Sequence, residues 1–147
     1  MDSNDFIAHL GKAYDSPEVQ RLLAAVGVTK KLKMPKDDIE ARADLPKLGL
    51  SLIFKPEGPK SSVLIFQAAM FLSNDNKGYT SYSGALPAQL LWTDKPAEVR
   101  VKLGKPTESK AALRLDRWTT PDQILTIEYA KESKRVHCVT VHIPKTA

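Results

Sequence analysis

Thr93–Pro106, TDKPAEVRVKLGKP, carries helix punctuation at both ends. An Asp94 oxygen is placed to accept from the free N–H groups of a first turn, and Pro96 tolerates that turn because its nitrogen needs no partner there. Gly104 and Pro106 close the segment, since glycine ends helices readily and proline cannot continue one. The pattern has an earlier counterpart in Asp15–Gly27, DSPEVQRLLAAVG. In both cases an apolar run, a polar turn and a longer apolar run follow. The spacing therefore predicts an α+β fold: an antiparallel sheet with helices packed on one face, built from two helix-plus-hairpin repeats. The first repeat spans about residues 1–84 and the second about 85–147, within a single domain.

The size supports one core. A chain of 147 residues buries roughly 70% of the surface it exposes when unfolded. Hydrophobic residues at 42% and charged residues at 27% fit an ordered globular protein and not a disordered one. The longest apolar run, Val63–Leu72, is broken by Gln67 and falls short of the roughly 18 residues of a membrane span, so it reads as a buried strand. The first residues, MDSNDFIAHLGKAY, lack the basic start and long apolar stretch of a secretory signal, and the expected location is cytoplasmic. A lone Cys138 fits a reducing compartment, because it has no internal partner for a disulfide.

Outward from the quoted stretch, Ser3 is placed to cap a first helix carrying Phe6, Ile7, Leu10 and Tyr14 on one face. Val19, Leu22, Leu23 and Val26 form the stripe of a second. Val28–Leu48 reads as a solvated connector, in which Lys30, Lys31, Lys33 and Lys36 meet Asp37, Asp38 and Glu40. Leu50–Phe54 and Val63–Leu72 pair around the proline- and glycine-bearing Lys55–Ser62, and Thr80 and Tyr82 read as a further strand. In the second half, Lys105–Ala112 reads as a polar link. Strands follow over Leu113–Trp118, Ile124–Tyr129 and Val136–Ile143, and Pro144 ends the last one.

The order of a D-x-P helix start, an L-G-x-P end, a strand and a closing hairpin resembles the repeat of β-lactamase inhibitory protein and of a small outer-membrane-assembly lipoprotein. The residues that carry it are Asp94, Pro96, Val99, Leu103, Gly104 and Pro106, then Trp118, Leu125, Ile127, Tyr129 and Val136. The joining segment with Tyr82, Gly84, Leu86, Pro87 and Leu91 also resembles cytoplasmic immunity proteins encoded beside bacterial antibacterial toxins, including those of contact-dependent inhibition systems. Both resemblances imply a non-catalytic protein that binds and neutralises a cognate toxin domain.

Sequence spacing offers little to catalysis. His9, His137 and His142 are scattered, and five residues along a strand put the last two on opposite faces unless a bulge intervenes, so no metal is expected. His137 and Cys138 are strand neighbours pointing apart, which leaves Cys138 a buried structural thiol. No phosphate-binding glycine loop or nucleophile elbow occurs, so no cofactor is expected. The informative types are Tyr79, Tyr82, Trp92, Arg114, Arg117 and Trp118, aromatic and arginine residues enriched at interface hot spots. Arg117 and Trp118 face opposite ways on one strand. Trp118 reads equally as a core anchor, and Trp92 as a staple on the helix that follows it. The net charge of +5 suits a partner with an acidic surface. A basic nucleic-acid-binding module is the alternative, which the acids interleaved with Lys30–Lys36 oppose.

Overall fold

The computed structural model describes residues 1–32, 40–58 and 61–144. Among them, seven strands form one antiparallel sheet: β1 (Ala41–Leu45), β2 (Leu50–Pro56), β3 (Leu64–Leu72), β4 (Glu108–Lys110), β5 (Leu115–Thr119), β6 (Ile124–Tyr129) and β7 (Val136–His142). Their order across the sheet is β1-β2-β3-β7-β6-β5-β4. Each half of the chain thus folds as a meander, and the two meet where β3 pairs with β7. Three short helices complete the fold: α1 (Ser3–Ile7), α2 (Pro17–Ala25) and α3 (Pro96–Leu103).

Directly opposed residues in an antiparallel pair share a face, so the register can be followed across the whole sheet. One row runs Leu45, Leu50, Phe71, Val139, Ile127, Asp116 and Ser109. Its apolar part meets Phe6 from α1, Val19, Leu22 and Leu23 from α2, and Val99 from α3 in one core. Alternation puts Leu50, Leu52 and Phe54 of β2, and Val139 and Val141 of β7, on this side. Phe6, Phe71 and Tyr82 pack edge-on or tilted, and Phe54 stacks on Phe66, which fixes the strands against the covering segments.

This architecture corrects the expected α+β fold of two helix-plus-hairpin repeats. The molecule is mostly sheet, and its helices have 5, 9 and 8 residues. A repeated unit would set equivalent residues on the same face. Both halves do contain a strand, a 3-10 turn and a left-handed residue leading into a strand, with turns Pro46–Leu48 before Gly49 and Ala111–Leu113 before Arg114. Their matching positions lie on opposite faces: Asp44 pairs with Ser51 on the uncovered side, whereas Ser109 pairs with Asp116 on the helix side. In α3, Val99 is buried and Leu103 packs against the core, while Val101 is 86% exposed.

Smaller differences have local causes. The first helix stops at Ile7 because Gly11, at φ +90°, turns the chain so that residues 11–14 bond to the start of β3. Gly11 N–H donates to Phe66 O, and Tyr14 N–H to Leu64 O. Its cap is Asp2, reciprocated by Asp5, and Ser3 is buried inside the first turn. The third helix begins after Lys95, and Asp94 spends its carboxylate elsewhere. Ala41–Leu45 and Glu108–Lys110 are edge strands where a connector and a link were expected. Thr80 and Tyr82 form no strand, although Tyr82 N–H reaches Leu72 O. Lys33, Lys36, Asp37 and Asp38 lie outside the described residues.

Candidate protein interface

The six residues expected at an interface do not form one cluster. Tyr82 is buried between Phe6 and Phe71, and its hydroxyl donates to Met1 O. Burial, with the charges of Asp2 and Asp5, pushes this phenol up to about 12. Trp92 packs on the core and donates to Tyr82 O at 3.0 Å. Trp118 lies on the helix side, half-buried, with its indole N–H on Gly104 O at 3.2 Å. Arg117 points the other way, as alternation requires, and donates to Thr126 Oγ1 at 3.1 Å. Tyr79 is partly exposed and Arg114 exposed, both in loops at one end of the sheet.

The densest polar cluster is internal, and hot-spot composition gives no sign of it. Asp116 is 1% exposed because it continues the core row beneath α3. Its carboxylate accepts from Arg100 at 2.9 and 3.1 Å, from Ser109 Oγ at 2.7 Å and from the Tyr129 hydroxyl at 2.9 Å. Burial alone would raise the pKa of Asp116, but the hydrogen bonds from Arg100, Ser109 and Tyr129 outweigh it and hold the group below its ordinary value. Asp94 plays a similar part, accepting from Leu91 N–H at 2.9 Å and Lys102 Nζ at 2.7 Å. Lys102 also donates to Gln89 O at 2.8 Å, tying the chain before α3 to its last turn. Both clusters join elements of the fold.

The sheet face opposite the helices is also self-paired. A second row runs Asp44, Ser51, Met70, Thr140, Thr126, Arg117 and Glu108 across all seven strands. Ser51 donates to Asp44 at 2.6 Å near one edge, and Arg117 spans from Thr126 to Glu108, 3.7 Å away, near the other. Cys138 is buried on this face, and loss of solvent pushes its thiol up to about 12. Among the described residues no group of three or more His, Cys, Asp or Glu side chains is placed to hold a metal.

One end of the sheet is different. The ends of β1, β3 and β6 and the starts of β2, β5 and β7 all lie there, so the turns Pro46–Leu48 and Ala111–Leu113 share that end with loops 73–81 and 130–135. Thr80 N–H donates to Pro46 O, while Ser73 N–H and the Asn76 amide both donate to His137 O. Arg135 reaches Asp75 at 3.3 Å across the two loops. The loops are therefore fixed to the strands, while Lys47, Leu48, Lys77, Leu113, Arg114, Lys131 and Lys134 stand exposed. Lys30 and Lys31 instead border a shallow cleft with Tyr14, Gln20 and Leu23, away from this end.

No protein-family model, curated protein or solved structure matches the chain. No helix among the described residues is long and apolar enough to cross a membrane.

Proposed function

We propose that the protein is a non-catalytic immunity protein, which binds a cognate bacterial toxin domain and neutralises it. The observation that carries this reading is the division of its polar groups. The clusters around Asp116 and Asp94 bond inward and brace the scaffold, while exposed cationic and apolar side chains stand together on loops that the strands hold in place. A pre-organised surface binds with less loss of conformational entropy, which suits an inhibitor. The resemblance of the joining segment around Tyr82–Leu91 to immunity proteins points the same way. Of the six expected contact residues, Arg114 and Tyr79 remain available on this reading, Arg117 is paired within the open sheet face, and Tyr82, Trp92 and Trp118 belong to the scaffold.

The test is to look for a toxin gene beside this one and to co-express its product with this protein. Co-purification as a stoichiometric complex, with rescue of growth, is the expected result. No complex at micromolar concentration would sink the reading.

A further inference from the structure

We propose that the loop end of the sheet is the docking surface and that its occupant is an acidic face of a folded protein. The inference rests on the inhibitor reading above and narrows it to one surface.

Charge is the first ground. Lys47, Lys77, Arg114, Lys131, Lys134 and Arg135 stand at this end against Asp75 and Glu132, an excess of four positive charges in a chain whose net charge is +5. Asp75 is already paired with Arg135. Among the described residues the other five cations of this end make no ion pair. Complementary charge speeds encounter and rejects wrong partners.

Backbone strain is the second. Among the described residues four non-glycines have positive φ: Ala88, Gln89, Arg114 and Lys134. The first two lie in the turn that Lys102 holds through Gln89 O. The other two are both cations at the loop end, with φ of +53° and +59°. At the matching position of the first hairpin stands Gly49, where a Cβ would overlap Thr80 O and Tyr82 N. Arg114 is exposed, so its side chain fits, but a glycine would relieve the backbone. Strained residues of this kind gather at binding sites, where the side chain is worth its conformational cost.

Apolar contact is the third. Leu48 and Leu113 are 44% and 59% exposed at the two turn tips, with Tyr79 in the loop between them. Five strand spacings separate the tips, about 24 Å, and a standard interface of about 800 Å² per partner covers that distance. A folded protein would bury these side chains, whereas a phosphate backbone would answer only the charge. The self-paired row on the open sheet face offers no comparable set of unspent groups.

The experiment measures affinity for the toxin domain identified by that search with wild type, Arg114→Gly, Lys134→Gly and the double variant, at low and high salt. Glycine suits both backbone positions, so unchanged or raised melting temperatures will show that the fold is kept. The expected result is at least a tenfold loss of affinity in the double variant, with a weaker dependence on salt. The control Thr140→Gln, on the open face, should bind within twofold of wild type. Equal binding by wild type and double variant would overturn the proposed surface and leave the inhibitor reading standing, as would a loss confined to Thr140→Gln. Failure of wild type to bind would remove both. A DNA duplex bound more tightly than the toxin, and released by the same two substitutions, would show a nucleic-acid site and overturn the proposed occupant.

Discussion

Single residues hold opposite kinds of information in the two hairpins. At Gly49 the neighbouring backbone leaves no room for a side chain and φ is +65°, so Gly49→Ala should destabilise the fold severely, with a large drop in the urea midpoint. At Arg114 the same conformation is open to solvent, and Arg114→Gly should stabilise by about 0.5–1 kcal/mol, read in the same denaturation series. Asp116 is the most heavily bonded side chain of the interior. Asp116→Ala leaves the Tyr129 hydroxyl and the Arg100 guanidinium without their acceptor, at a cost of about 2–3 kcal/mol. Its pH effect has a definite sign. The folded carboxyl is held below its unfolded value, so its contribution is complete above the ordinary carboxylate range and is lost as pH falls through the lower folded value. Wild-type stability should therefore drop below about pH 4, and Asp116→Asn should flatten that part of the profile. Cys138, buried and with its thiol pushed up to about 12, should resist a thiol reagent at neutral pH until the protein unfolds.

At the level of elements, alternation and turn chemistry made five strands legible. Leu50, Leu52 and Phe54, or Leu125 and Ile127, mark a buried face whatever packs on it. Beginnings and ends were less legible where tertiary hydrogen bonds decide them. Nothing within Phe6–Tyr14 announces that Gly11 will turn the chain onto the start of β3, and Ala41–Leu45 is a strand because β2 pairs with it. Glu108–Lys110 has no apolar residue at all; β5 recruits it, with Ser109 meeting Asp116. The repeat suggested by the helix caps failed for a related reason. Caps report how a helix starts and stops, not which sheet face the following hairpin turns inward. The exposed turn tips follow the same logic: Leu48→Ser and Leu113→Ser should change the melting temperature little, as both side chains stand largely in solvent, while weakening toxin binding together.

For the whole molecule, the sheet supplies rigidity and its loop end supplies unspent charge and apolar surface. Sequence composition offered Tyr79, Tyr82, Trp92, Arg114, Arg117 and Trp118 alike as contact types, yet Tyr82, Trp92 and Trp118 pack in or against the core, because aromatic residues suit cores and interfaces alike. Lys47, Lys77 and the loop that carries Lys131 and Lys134 are far apart in the chain, and strand order brings them to one end. Inhibition by stoichiometric binding is read by titrating the toxin identified beside this gene with this protein and following the toxin's own activity. Activity should fall linearly to zero at one equivalent, and the curve should round off around that point, with residual activity at one equivalent, when Arg114 and Lys134 are both glycine. Undiminished toxin activity at a large excess of wild-type protein would contradict it.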